Sequence, residues 1–173
     1  MYFFCYAFWV TYYIFRHGAT FQSKFNVPYG KEIETAEILP EGIPVIEKLA
    51  DYLKDIPVDA NFTSPFKRCL QTVEIVTKIS GKKYISDDRL HDWLPEKETI
   101  QNVIERIENF FKEINANPYN SVSICTHGYP ISGLIQLISH GRIDEMELEN
   151  FPKPGVLTIA SSEEIKSLDF NKT

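Results

Sequence analysis

Two short, mostly apolar segments of the chain are each followed closely by the dipeptide His-Gly. Residues 8–15 precede Arg16 and His17, residues 121–126 precede His127, and a glycine follows each histidine. A short apolar run that ends at a glycine is typical of a buried strand. Each run therefore delivers a histidine to the carboxyl edge of a sheet, which is where open α/β sheets bind their ligands.

A third, weaker strand signal at residues 59–63 precedes Ser64 and Pro65. Ser64 as N-cap and Pro65 at the first helical position predict a helix that carries Arg68 in its first turn. Apolar periodicity predicts further helices at residues 44–54, 98–115 and 129–139, and strands at residues 84–86, 155–160 and 164–170. This alternation predicts an α/β fold, a three-layer sandwich with a mostly parallel central sheet and helices on both faces.

The three strand ends bring two histidines and two arginines to one place. A neutral imidazole such as that of His17 is a competent nucleophile toward phosphorus. The guanidiniums of Arg16 and Arg68 can hold phosphoryl oxygens and keep His17 unprotonated by charge repulsion. The helix after His127 adds free amide groups and a positive dipole end. These features predict phosphoryl transfer through a phosphohistidine on His17.

Four sequence blocks resemble, in the same order, those of the histidine phosphatase superfamily, which includes the cofactor-dependent phosphoglycerate mutases. The blocks are RHGAT at residues 16–20, LPEG at 39–42, SPFKRCLQT at 64–72 and THG at 126–128. The resemblance spans roughly residues 9–160 of the 173. It implies a phosphoglycerate mutase-like fold, with His17 as the nucleophile and Arg16, Arg68 and His127 as phosphate ligands.

In this family, a Glu or Asp protonates the leaving oxygen. It usually lies shortly after the strand that follows the Ser-Pro helix, in a Leu-x-Glu-like context. Leu90-His91-Asp92 fits best, so the resemblance implies that Asp92 protonates the leaving group and then activates the water that hydrolyses phospho-His17. Asp88, Glu96 and Glu98 are the alternatives.

One position departs from the mutase-like pattern. Mutase-like members carry an asparagine six residues after the nucleophile, where this chain has Ser23. We expect the hydroxyls of Thr20 and Ser23 to donate hydrogen bonds to the phosphate instead.

The chain segment after Asp92 is short, because only about five residues separate Asp92 from the predicted long helix. A mutase-type helical cover has no room there.

The reading that follows is a small phosphatase, similar in size to the bacterial phosphohistidine protein phosphatases. Its substrate is a phosphorylated small molecule or a phosphoprotein. Six side chains are candidates to line a small-molecule pocket, namely Phe21, Phe25, Tyr29, Lys31, Trp93 and Tyr129. A mutase-type phosphotransferase and a catalytically weak phosphate-binding scaffold are the competing functions.

Composition limits the number of domains and the partners and cofactors that the chain can have. With 173 residues, 43% of them hydrophobic, the chain suits one domain over residues 1–173. A net charge of −6 argues against nucleic acid as a partner. Neither metal-ligand spacing nor a nucleotide-binding glycine loop occurs, so we expect no metal and no cofactor. Cys5, Cys69 and Cys125 lack C-x-x-C spacing, which favours reduced thiols in a cytoplasmic protein.

Residues 1–15 carry no charge. A membrane-spanning helix needs about 20 residues, and cleavage of a signal here would remove the strand before His17, so the sequence argues against both. Residues 1–7 form an aromatic extension, which fits an edge extension or a homodimer contact better than a peripheral membrane contact.

Overall fold

The computed structural model describes residues 10–172. Within them, six strands form one sheet in the order β3-β2-β4-β1-β5-β6. The strands are β1 (Thr11–Arg16), β2 (Ala60–Thr63), β3 (Ile85–Ser86), β4 (Ser121–Thr126), β5 (Val156–Ala160) and β6 (Ile165–Asp169). The first four are mutually parallel, whereas β5 and β6 run antiparallel to their neighbours. The predicted mostly parallel α/β sheet is thereby confirmed.

Residues 10–172 contain five α-helices, α1 (Phe21–Phe25), α2 (Ile43–Lys54), α3 (Lys67–Ser80), α4 (Ile100–Asn115) and α5 (Gly128–His140). Of these, α2 to α5 pack against the sheet. The core has two parts because the side chains of β1 alternate between the faces of the sheet. Tyr12 and Ile14 pack with α4 and α5, and Phe15 packs with α2 and α3. The three-layer arrangement follows from this alternation.

Strand register positions the site. In the pairing of β1 with β4, Arg16 lies opposite Thr126, so His17 and His127 leave the sheet side by side. The His17 amide donates to the Thr126 carbonyl at 3.1 Å. In the pairing of β2 with β4, the Ser64 amide donates to the Cys125 carbonyl at 3.0 Å. Three chain segments therefore meet at the carboxyl edge of the sheet.

Two predicted helix starts were wrong. Helix α3 begins at Lys67 after Phe66, whose extended backbone makes it the N-cap, and not at Ser64 and Pro65. The Ser64 hydroxyl accepts a hydrogen bond from the Phe66 amide at 3.2 Å and also contacts His127, so it serves the site rather than the helix. Helix α4 begins at Ile100, because the N-cap Thr99 forms a capping box with Asn102.

Apart from the first strand, the other predicted elements agree with the structure to within one residue at each predicted end. The first strand prediction began at residue 8, and residues 8 and 9 lie outside the described part of the chain, as does the aromatic extension of residues 1–7. No helix within residues 10–172 has both the length and the apolar character needed to cross a membrane.

Candidate active site

His17 follows the last residue of β1 and is completely buried. Its Nδ1 lies 2.8 Å from the Gly18 carbonyl oxygen. A carbonyl can only accept, so this contact assigns the proton of a neutral ring to Nδ1 and leaves the lone pair on Nε2. That Nε2 atom is buried and has no hydrogen-bond partner. The ring is thus arranged as a nucleophile with a free reacting atom.

His127 lies beside it, with a distance of 5.2 Å between the two ring centroids. Its Nε2 is 2.7 Å from the Ser64 hydroxyl, which already accepts from the Phe66 amide. With that hydroxyl donating to Nε2, the proton of neutral His127 lies on Nδ1. Nδ1 is buried without a hydrogen bond, 3.7 Å from Asp92 Oδ2. It is therefore a donor available to a ligand.

Both imidazoles are held in the neutral form. Burial first, and then the guanidiniums of Arg68 and Arg16, keep the pKa of His17 well below its usual value. The pKa of His127 is lowered in the same direction, again by burial first and by Arg68 next. A neutral His17 retains its lone pair at pH values where a solvent-exposed histidine would be partly protonated.

Arg68 comes from the first turn of α3 and has no exposed surface. One terminal nitrogen donates to the Ile33 carbonyl and the other donates to Asp92 Oδ2 at 2.9 Å. The guanidinium also stacks on the ring of Tyr29, 4.2 Å from its centroid. Arg68 is consequently a fixed part of the site and not a solvated helix charge.

Arg16, the last residue of β1, lies over the ring of Phe151, with Cζ 5.0 Å from its centroid. Its Nε, like that of Arg68, is buried without a partner. Arg16 is half-buried and reaches the cavity described below, whereas Arg68 does not line it. The two guanidiniums thus approach the same place from different elements.

Four of the five buried side-chain polar atoms without a partner, among the described residues, belong to this cluster. They are Arg16 Nε, His17 Nε2, Arg68 Nε and His127 Nδ1, and the fifth is Asn61 Oδ1 on β2. Nearly all buried polar groups in native proteins are hydrogen-bonded, and leaving one unpaired costs about 1–3 kcal/mol. Their concentration at one point, with two cationic side chains, indicates a site for an anion.

The N-terminus of α5 also faces this point. The helix begins at Gly128 directly after His127, and no side chain caps it. Its first amide groups therefore remain available to an anion. A Cβ atom at Gly128 would lie 2.6 Å from the ring of Phe151, so only glycine fits between the helix start and that ring.

Asp92 is buried and contacts the cluster directly. Its Oδ2 accepts from Arg68, and its Oδ1 accepts from the Trp93 amide at 3.0 Å. Of the three alternative acids, Glu98 is bound to Arg106 by two hydrogen bonds at 2.9 and 3.1 Å. Glu96 is exposed on the cavity wall, and Asp88 is exposed at the start of a short 3-10 helix, so Asp92 alone of the four touches Arg68.

Thr20 and Ser23 bind one another in a capping box that begins α1. The Thr20 hydroxyl is also 2.8 Å from the Tyr29 hydroxyl and is completely buried. Ser23 borders the cavity. Their role as phosphate ligands stays a prediction.

Beside the cluster lies a cavity of about 630 Å³, which Arg16 and Asp92 line but the two histidines and Arg68 do not. Its lining includes three of the expected side chains, Tyr29, Trp93 and Tyr129, but not Phe21, Phe25 or Lys31. Phe21 and Phe25 instead contact each other on the surface, with ring centroids 4.7 Å apart. Sequence reasoning missed Phe151, which also lines the cavity. Phe151 stands in an irregular segment before Pro152 and Pro154, with no motif around it.

The chain was compared with sequence families, curated sequences and solved structures. The sequence model of the Histidine phosphatase superfamily (branch 1) matches residues 12–94 and 91–167. No curated protein sequence is significantly similar to the chain. The fold resembles that of the alpha-ribazole phosphatase from Shigella flexneri, with a TM-score of 0.71 and 17% identity over 86% of this chain and 89% of that chain.

Two further structures share the fold. The phosphoserine phosphatase from Entamoeba histolytica has a TM-score of 0.73 and 13% identity, over 93% of this chain and 98% of that chain. The phosphoglycerate mutase from Bacillus anthracis has a TM-score of 0.68 and 17% identity, over 94% of each chain. Since the family model covers most of the described residues, the chain belongs to the histidine phosphatase superfamily.

Proposed function

We propose that this protein is a phosphatase that hydrolyses a phosphomonoester through a phosphohistidine intermediate on His17. The observation that carries the proposal is the set of four buried, unpartnered nitrogen atoms around one point. One of them, His17 Nε2, has a free lone pair, and the other three are donors. A nucleophile surrounded by donors suits a phosphoryl group, whose charge spreads over its equatorial oxygens during transfer.

The reaction has two steps. In the first, His17 Nε2 attacks phosphorus, the bond to the ester oxygen breaks, and that oxygen takes the proton of Asp92, which enters this step in its protonated form. In the second, the ionised Asp92 takes a proton from a water, which attacks phosphorus and breaks the P–N bond. Arg16, Arg68, His127 Nδ1 and the amides of α5 hold the phosphoryl oxygens in both steps.

Transfer to water, rather than to a second substrate hydroxyl, is supported by the short chain segment between Asp92 and α4. Residues 93–99 form turns and extended chain, with no helix before α4 begins at Ile100. Water therefore reaches the phosphoryl group from the open cavity. We expect the mutase-type reaction to be a minor activity.

The proton-donor assignment is tested by leaving-group dependence. Asp92→Asn should slow the hydrolysis of ethyl phosphate by ~10²-fold or more, the usual range for general acid catalysis. It should slow 4-nitrophenyl phosphate much less, because nitrophenolate leaves without a proton. The measurement is kcat/KM for both esters.

Glu96→Gln is the matched control, because Glu96 borders the same cavity but is exposed. It should affect neither ester by more than about threefold, as for an ordinary surface change. A selective loss on ethyl phosphate in the Glu96 variant would transfer the acid role to Glu96. Equal losses on both esters in the Asp92 variant would show that Asp92 only holds Arg68.

A further inference from the structure

The wall of the cavity beyond the phosphate site is aromatic. Trp93, Tyr129 and Phe151 form a continuous series, with ring centroids 5.3 Å apart in the first pair and 5.8 Å in the second. Val27 and Tyr29 line the cavity together with them. Side chains of this kind bind flat, apolar groups.

The polar atoms of these aromatic side chains already have partners. Trp93 Nε1 donates to the Glu98 carbonyl at 3.3 Å, and the Tyr129 hydroxyl donates to Glu149 at 3.3 Å. The Tyr29 hydroxyl bonds to that of Thr20. What these residues offer to a ligand is therefore ring surface and not hydrogen bonds.

The charged side chains of the cavity disfavour a second anionic group on the substrate. Two cationic side chains line it, Arg16 and Lys97. Arg16 belongs to the phosphate site, and Lys97 is paired with Glu34 at 2.6 Å. The acidic Asp92 and Glu96 also face the cavity. A carboxylate or second phosphate on the substrate would meet like charge and no free cation.

We infer that the substrate is a small monophosphate ester whose alcohol part is flat, largely apolar and uncharged, such as an aromatic ring system. This rests on the proposed phosphatase activity and names the substrate class of the same site. The cavity volume of about 630 Å³ falls within the range of small-molecule sites and accommodates one or two rings beside the phosphate. Trp93 and Tyr129 determine the specificity.

The test compares esters that need the same proton transfer. Ethyl phosphate and 2-(1-naphthyl)ethyl phosphate both release a primary alcohol, so a difference between them reports binding of the ring. We expect kcat/KM to be at least ~10-fold higher for the naphthyl ester, because burial of an aromatic group contributes more than the ~1.4 kcal/mol that a tenfold difference requires. 2-Carboxyethyl phosphate should be hydrolysed more slowly than ethyl phosphate.

Variants locate the effect. Trp93→Ala should reduce the naphthyl-to-ethyl ratio of kcat/KM about tenfold, mainly through KM for the naphthyl ester, and Tyr129→Ala should act in the same direction. Phe25→Ala is the matched control, because Phe25 is an exposed aromatic residue outside the cavity lining, and the ratio should not change.

Each outcome bears on a different statement. A ratio near one with both esters hydrolysed overturns the inference and leaves the proposed function intact. A faster reaction with 2-carboxyethyl phosphate, or a preference for a phosphotyrosyl peptide over the naphthyl ester, also overturns it. If neither ester is hydrolysed, the proposed function fails. Calorimetric binding of the two esters then decides the inference, which requires tighter binding of the naphthyl ester.

Discussion

At the residue scale, Arg68 combines two demands that are hard to meet together. A buried guanidinium costs several kcal/mol of desolvation unless charge and hydrogen-bond partners compensate. Asp92, the Ile33 carbonyl and the ring of Tyr29 supply that compensation. The Nε atom is left over and is free to bind a ligand. Arg68 is thereby fixed in place in advance, which is the condition for strong electrostatic stabilisation of a transition state in the proposed reaction.

Arg68→Ala should therefore lower kcat/KM by ~10²-fold or more, the scale observed when one preorganised donor is removed. Vanadate, which resembles the transferring phosphoryl group, should inhibit the variant less strongly. Arg142→Ala is the control, since Arg142 is exposed at the far end of α5 and should matter little. A loss below about threefold in a folded Arg68 variant would contradict the assignment.

The residues of the proposed phosphate site were predictable because each follows a recognisable strand or motif. Arg16, His17, Arg68 and His127 were all expected at one sheet edge, and the structure brings them together. The role of Ser64 was not predictable, because its hydroxyl bonds to a histidine 63 positions away. Serine before proline is also a common helix start, so the local sequence indicated that the Ser64 hydroxyl caps a helix and does not bind a histidine.

At the element scale, α4 and β4 hold the segment that carries Asp92. Arg106 on α4 donates to the Arg89 carbonyl at 2.6 Å, to the Asp92 carbonyl at 3.3 Å and to the Glu98 carboxylate. The Thr126 hydroxyl at the end of β4 donates to the Leu90 carbonyl at 2.5 Å. The segment is thus bound at both ends of the acid, although it has almost no regular structure.

Arg106→Met should loosen that segment while keeping the aliphatic stem. We expect a larger loss of kcat/KM for ethyl phosphate than for 4-nitrophenyl phosphate, because only the first needs a well-placed acid. The free energy of unfolding should fall by about 1–3 kcal/mol, since the partners of Arg106 lose a charged donor. Lys112→Met, an exposed change on the same helix, is the control. Equal losses on the two esters would show that Arg106 does not position Asp92.

Element types were more predictable than element neighbours. The apolar periodicity of α4 reports its buried face, which includes Val103, Ile107, Phe110 and Ile114. The register of β1 against β4 arises from pairing between residues more than 100 positions apart, which no local pattern records. The start of α4 was predicted two residues early because the capping box of Thr99 and Asn102 is only visible in the structure.

At the scale of the whole molecule, the two buried histidines link the active site to stability. His17 and His127 remain neutral in the folded state because their pKa values are held well below the usual value. In the unfolded chain both take up protons below about pH 6.5. The unfolded state therefore binds more protons as the pH falls, and the free energy of unfolding decreases.

Urea unfolding in buffers without phosphate should show this decrease between about pH 6.5 and pH 5, with a slope of up to about 1.4 kcal/mol per pH unit for each histidine. Carboxylates with lowered pKa values, such as Asp169 at about 2, lose their contribution only at lower pH. The double variant His17→Asn, His127→Asn should have a smaller slope. His140→Asn, an exposed change, should keep the slope of the parent protein. An unchanged slope in the double variant would contradict the buried neutral state.

The central claim is a covalent bond between phosphorus and His17 Nε2. A radiolabelled phosphate ester, mixed rapidly with the protein and quenched in alkali to preserve phosphohistidine, should leave label on the peptide that contains Arg16 and His17. His17→Asn should abolish both the label and turnover, whereas His127→Asn should slow labelling without moving it. Steady hydrolysis with no label on that peptide, or equal labelling of the His17 variant, would contradict the account.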